Sequence, residues 1–229
     1  MSLQNKKTKL RQILRKLISK VLEERLNRTF VRLDKNILRL SKKLINYKII
    51  ALNYHEIQIL FQLIGLINNI KGDIAELGVY RGGSAKVICE ARTKNKTLHL
   101  FDTFDGMPTP SEIDNDIFYK GSFTTNLTTV KKLLKRHKQI KYHIGVFPET
   151  AKEVGKIKFS FVHLDADIYE STKSGLEFFW PKINKGGIVL IHDYPCALGV
   201  KKAVEEFFQD KPEYIIRISH HQALIVKFL

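Results

Sequence analysis

From Gly72 onward the chain repeats one unit: a short β-rich run, a turn carrying glycine or an acid, then a helical stretch. This alternation constrains the fold more than any other feature. Successive strands separated by helices run parallel and cross over on one hand, giving an α/β sheet. The strands are read at Ile74–Leu77, Thr97–Phe101, Tyr142–Ile144, Phe159–Leu164 and Gly187–Ile191. Helices are read from Ser84, over Glu170–Trp180 and over Gly199–Phe208. Tyr214–Ile218 and Gln222–Phe228 follow with no helix between them, so the sheet closes with an antiparallel hairpin. A further helix runs from about His55 to Ile70 and stops at Gly72. Residues 104–127 are the one long irregular stretch, a length that suits a lid over a site.

Four motifs fall at the carboxyl ends of these strands, the edge where open α/β sheets bind ligands. The first runs from Ala75 to Ser84. Gly78, Gly82 and Gly83 let the backbone approach a ligand closely, and the helix starting at Ser84 offers free N–H groups. It lacks the dinucleotide GxGxxG and the Lys-Ser/Thr of a P-loop. Glu76 inside the strand end suits an amino-bearing ligand better than a pyrophosphate. A plain tight turn accounts for the same residues. In the second motif, Phe101 to Gly106, Asp102 stands where a ribose diol is commonly gripped; a turn or cap aspartate reads the same way.

The third motif runs from Phe161 through Asp165 and Asp167 to Glu170, and the fourth ends in His192-Asp193-Tyr194. Carboxylates converging from neighbouring strands repel unless a cation joins them. Asp165 and Asp193 therefore suggest a hard divalent metal such as Mg²⁺. Asp167 reads as the N-cap of the following helix. His192 reads either as a ligand or as a packed histidine, and His163 as part of the sheet.

Charge is unevenly divided. Of the net +16, residues 1–50 carry nine Lys and six Arg against Glu23, Glu24 and Asp34, a net +12. The remaining 179 residues carry only +4, which argues against a nucleic-acid clamp built from the whole fold. Residues 1–50 also lack Gly and Pro and carry two apolar stripes, Leu10-Leu14-Leu17-Val21 and Phe30-Leu33-Ile37-Leu40-Leu44. They read as a basic amphipathic helical arm, broken near Asn27–Thr29, ahead of a domain over 51–229. The favoured reading is an arm that makes a homo-oligomer; peripheral contact with an anionic membrane surface is second, and nucleic acid third. Ile57–Ile67 is too short to cross a bilayer. No signal-peptide pattern is read, and Cys89 and Cys196 form no disulfide framework. These features read as a cytoplasmic protein, with the inner membrane surface as the peripheral option.

In this order, GDIAELGVYRGGSA, LFDTFDGMP, IGVFPET, LDADIYEST and GGIVLIHDY followed by GVKKAVEEFF resemble the macrocin O-methyltransferase (TylF/MycF/NovP) family of S-adenosylmethionine-dependent sugar O-methyltransferases. The resemblance covers about residues 70–210. It implies a Rossmann-like class I methyltransferase fold. The turn with Glu76, Gly78, Tyr80, Gly82, Gly83 and Ser84 would hold the methionine moiety. Asp102 and Thr103 would lie at the ribose, and Gly145 to Thr150, including Phe147, near the adenine. Metal-dependent members place one Asp after the fourth strand and two after the fifth. Here the match gives Asp165 and Asp193, with His192 in place of the other Asp. The implied reaction is O-methylation of a sugar or glycosylated small molecule. Asp165 is the first choice for both metal ligand and proton acceptor and is also counted among the cofactor-binding residues, and His192 is the rival base. An RNA-modifying methyltransferase, supported only by the basic arm, and a non-catalytic scaffold are the alternatives. The acceptor should touch residues 50–56 and 104–127.

Overall fold

The computed structural model describes residues 35–114 and 118–228. The chain divides into two compact units, residues 1–40 and 41–229. Of the first, the described part is the opening of helix α1, Lys35–Asn46, in which Ile37 is buried. The stripe Leu10–Val21, the residues Phe30 and Leu33, and the break expected near Asn27–Thr29 lie outside the described residues.

In the second unit, helix α2 spans Tyr54–Leu66. Its start is fixed by a capping box. The Asn53 side chain accepts hydrogen bonds from the amides of His55 and Glu56 at 2.9 and 3.1 Å, and the Glu56 carboxylate accepts from the Asn53 amide at 2.9 Å. Then come β1 Asp73–Leu77, α3 Gly83–Ala91, β2 Leu98–Asp102, α4 Leu127–Leu134 and β3 Ile140–Ile144. The chain continues with β4 Phe159–Leu164, α5 Tyr169–Phe179, β5 Ile183–His192, α6 Leu198–Phe208, β6 Ile216–Arg217 and β7 Gln222–Val226.

The seven strands form one sheet in the order β3-β2-β1-β4-β5-β7-β6. The first five are parallel; β7 runs antiparallel to β5 and to β6. This is the class I methyltransferase arrangement, with its closing antiparallel hairpin. Every residue of β4 is buried, as a central parallel strand covered on both faces requires. Phe101, Phe159 and Phe179 anchor the core, each with no exposed surface. Their rings meet at 5.4–5.5 Å between centroids.

Differences from the sequence expectations have local causes. Strand β3 pairs only with β2 and is half exposed, so its start at Ile140 lacks an apolar run. Strand β5 begins at Ile183, before the expected Gly187; Asn184 and Lys185 are polar and not buried, so they interrupt the apolar run there. Strand β6 keeps only Ile216 and Arg217 of the expected Tyr214–Ile218. Helix α4 was not read from sequence; Asn126 caps it by accepting from the Thr128 amide at 2.8 Å.

Register sets the site. Leu77 pairs with Phe101 and Leu164, and Leu164 with Ile191. The next residue on each strand therefore falls in one row along the carboxyl edge: Asp102, Gly78, Asp165 and His192. Between β1 and β4 the chain's strand order reverses, which is where such sheets open a crevice.

Candidate functional site

A cavity of about 490 Å³ lies over this row, within the roughly 300–1,000 Å³ of small-molecule sites. Gly78, Tyr80, Gly83, Ser84, Asp102, Thr103, Gly145, Phe147, Asp165, His192 and Asp193 all line it. Residues 49–53 and Glu56 close one side, and Gly106, Met107, Pro108, Phe118, Ser122 and Phe123 of the long irregular stretch another. Glu76 and Gly82 are not among the lining residues. Gly82 is instead the left-handed residue, at φ 80°, that starts α3.

Glu76 is fully buried inside the sheet. It sits opposite His163 in the β1–β4 register, and its Oε1 lies 3.0 Å from His163 Nδ1. Burial raises its pKa, against the opposing pull of His163. Its other oxygen, Oε2, has no hydrogen-bond partner among the described residues, so it can still accept from one donor. His163 thus has the sheet role read for it.

Asp102 braces the glycine turn. Its Oδ2 accepts from the amides of Val79 and Tyr80 at 2.7 and 2.9 Å, and its Oδ1 from the Phe104 amide at 2.7 Å. A carboxylate has about four acceptor positions, so three backbone donors leave room for about one more. Asp102 therefore has the turn role, with an acceptor position left over. Thr103 continues the turn, its hydroxyl donating to the Gly106 carbonyl at 2.6 Å. Tyr80, at φ 49°, packs edge-on against Phe123 with centroids 5.5 Å apart, joining the turn to the long stretch.

At the other end of the row, three carboxylates surround one imidazole. His192 Nδ1 lies 3.2 Å from Asp165 Oδ1 and 3.0 Å from Asp193 Oδ2, while Nε2 lies 3.6 Å from Glu56 Oε2. None of these contacts has aligned hydrogen-bond geometry; both ring nitrogens and Glu56 Oε1 are buried without such a partner among the described residues. Burial would lower the His192 pKa, but Asp165, Asp193 and Glu56 outweigh it and hold the ring protonated far above its usual range. The carboxylates alone therefore favour the imidazolium, whereas an ion held by the same side chains would require the neutral ring. Burial would raise Asp165 and Glu56, yet His192 holds both below their ordinary values.

Asp167 does not cap α5. Its backbone is left-handed at φ 62°, the N-cap position belongs to Ile168, and the Tyr169 amide donates to Asp114 Oδ1 at 3.1 Å. The long stretch thus supplies the cap that sequence spacing assigned to Asp167. Burial raises the Asp167 pKa, and the charges of Asp165 and Asp193 push it further, well above the usual carboxylate range.

Asp165, His192 and Asp193 each offer a ligand atom within 4.8 Å of the others. Crowded acids, one of them pushed towards its neutral form, and an imidazole without aligned bonds fit a divalent cation. The carboxylates suit Mg²⁺ or Mn²⁺, and the imidazole shifts the preference towards Mn²⁺.

Sequence reading placed Glu56 only within the segment 50–56 and missed His221; both line the cavity. The Asn53-x-x-Glu56 spacing was a usable signal for the first, as a helix-start pattern. Nothing local marked His221, which reaches the site through the β5–β7 pairing.

Over residues 57–220 the chain matches the macrocin-O-methyltransferase (TylF) family. Similar curated proteins include 8-demethyl-8-(2,3-dimethoxy-alpha-L-rhamnosyl)-tetracenomycin-C 4'-O-methyltransferase of Streptomyces olivaceus, 28% identical over 144 residues, which are 56% of this chain and 55% of that one. Demethyldecarbamoylnovobiocin O-methyltransferase of Streptomyces niveus is 27% identical over 159 residues, 61% of this chain and 59% of that one. The chain thus spans less than two thirds of the length of these relatives. Among solved structures, the O-methyltransferase NovP aligns with a TM-score of 0.68 at 24% identity, covering 76% of this chain and 80% of its own; this likeness establishes the fold.

Proposed function

The chain belongs to the macrocin-O-methyltransferase (TylF) family, and on that premise we propose that it transfers the methyl group of S-adenosylmethionine to a hydroxyl of a sugar or glycosylated small molecule. One observation carries this reading: the row Asp102, Gly78, Asp165 and His192 lies under a single cavity, with turn residues at one end and clustered acids at the other.

The turn end suits the cofactor. Gly78, Tyr80, Gly83 and Ser84 line the cavity where the amino-acid end of the cofactor would lie, while Glu76 is buried in the sheet, and the remaining acceptor position of Asp102 takes one ribose hydroxyl. Phe147 and Gly145 form the wall assigned to the adenine. The acid end suits the acceptor. Asp165, Asp193 and His192 would hold a divalent ion, which supplies Lewis-acid polarisation of a hydroxyl when bound. Asp165 takes the hydroxyl proton. The oxygen then forms its bond to the methyl carbon as the carbon–sulfur bond breaks, and the sulfonium leaves as a neutral thioether. Much of the acceleration comes from holding oxygen, carbon and sulfur in line. The cavity's apolar walls help, because sulfonium charge disappears as the reaction proceeds.

The acceptor enters between residues 49–56 and residues 106–108 and 118–123, where Tyr80, Phe118 and Phe123 line the cavity. Incubation with methyl-labelled S-adenosylmethionine and deoxysugar glycosides tests the proposal; label in the sugar supports it, and label in RNA contradicts it.

A further inference from the structure

Outside the acid cluster, the fold gathers a second set of side chains that the methyl-transfer reading does not use. We propose that Cys196, His220 and His221 form a site for a borderline transition-metal ion of the Zn²⁺ class, at the mouth of the cavity.

Topology brings the three together. Cys196 follows β5 in the loop to α6, and His220 and His221 occupy the turn between β6 and β7. Strands β5 and β7 pair with His192 opposite Gln222, so the turn before Gln222 lies beside the loop after His192. One ligand atom from each of the three residues lies within 4.8 Å of the other two. Cys196 Sγ is 3.4 Å from His220 Nδ1. Tetrahedral Zn²⁺, about 2.3 Å from sulfur and about 2.1 Å from nitrogen, sets ligands about 3.6 Å apart, so the Cys196–His220 pair already stands near the spacing an ion requires. The His220 and His221 rings lie 4.7 Å apart at 51°, a tilted pair rather than a flat stack.

The donor types separate this site from the acid cluster. A thiolate and two imidazoles select Zn²⁺ and its neighbours over Mg²⁺. Cys196 and His220 are exposed, giving the ion a path from solvent. Three protein ligands leave a fourth position open, the pattern of zinc sites that keep a water or exchangeable ligand. His221 also lines the cavity, and its ring lies 6.2 Å from that of His192 at 21°. An ion held here would fix one cavity wall.

The simpler account is a thiol beside the His220 carbonyl, with Sγ 3.2 Å from its oxygen. Cobalt(II) titration of the full chain distinguishes the two, using the thiolate-to-cobalt charge-transfer band. The site predicts a stoichiometric band in the native protein that Zn²⁺ discharges. Cys196→Ser and His220→Ala should each weaken binding beyond the roughly 10–100-fold cost of losing an outer-sphere partner. Both side chains are exposed, and circular dichroism confirms that each variant folds. Asp193→Asn should leave the band in place, which separates this site from the proposed catalytic ion. The absence of a band in native protein, its survival in Cys196→Ser, or its indifference to His220→Ala would overturn the proposal.

Discussion

A Cβ placed on Gly78 would stand 1.8 Å from the carbonyl oxygen of Asp165. The glycine of the β1–α3 turn and the acid that ends β4 are in backbone contact, reinforced by the Asp165 amide donating to the Leu77 carbonyl at 2.9 Å. No side chain fits between them, and Gly78 also holds φ at 86°, a conformation costly for any other residue. The two ends of the proposed reaction, cofactor turn and proton acceptor, thus share one rigid junction.

Gly78→Ala must displace one of the two backbones. It should lower both the melting temperature and S-adenosylmethionine affinity. Gly65→Ala, on α2 with nothing within 4 Å of the added methyl, should raise stability by roughly 0.5–1 kcal/mol. Calorimetry and thermal melts of the pair check this; equal effects of the two would show that the junction does not matter.

Asp102→Ala should weaken S-adenosylmethionine binding by roughly 1–3 kcal/mol, the cost of unpaired hydrogen-bonding groups. The variant also releases the amides of Val79, Tyr80 and Phe104. The loss should therefore come with reduced protection of those three amides in hydrogen exchange. Unchanged affinity in calorimetry would remove Asp102 from the site.

Chelation should abolish turnover, and Mg²⁺ or Mn²⁺ should restore it. Asp193→Asn should weaken that restoration by raising the ion concentration needed. Full activity after exhaustive chelation would leave Asp165 to act without an ion.

His99 carries a pH-dependent share of stability. It is fully buried beside Asp73 and His143, and burial lowers its pKa from 6.5 despite the opposing pull of Asp73. The unfolded chain therefore takes up the proton first. Stability from the neutral ring is complete above 6.5 and is lost as pH falls through the lower folded value. His99→Gln should flatten the fall in melting temperature between neutral and mildly acidic pH; an unchanged slope would assign that fall to other groups.

The sheet was legible because each central strand is a short, mostly apolar run ending at a glycine, an acid or a histidine: Leu77-Gly78, Phe101-Asp102, Leu164-Asp165, Ile191-His192. Burial on both faces writes such strands directly into the sequence. Edge segments were less legible. Ile140 and Lys141 sit on a half-exposed strand, and Ile216 and Arg217 on the outermost one, where packing imposes no pattern. In the site, the row of strand-end residues could be placed from spacing alone. The Glu56–His192 contact could not, since it joins the start of α2 to the end of β5 across 136 positions. Asp167 was misassigned as a cap because the real one, Asp114, comes from 55 residues earlier in the chain.

Methyl transfer itself is the most direct test. Full-length protein, S-adenosylmethionine labelled in the methyl group, Mn²⁺ or Mg²⁺ and a panel of deoxysugar glycosides should yield S-adenosylhomocysteine and an O-methylated sugar in equal amounts. Asp165→Asn should lower that turnover by roughly 10²–10⁴-fold, the usual contribution of a positioned proton acceptor, with cofactor affinity retained. Failure of the native protein to bind S-adenosylmethionine in calorimetry, or transfer of the label to RNA while every glycoside stays unmodified, would contradict the account.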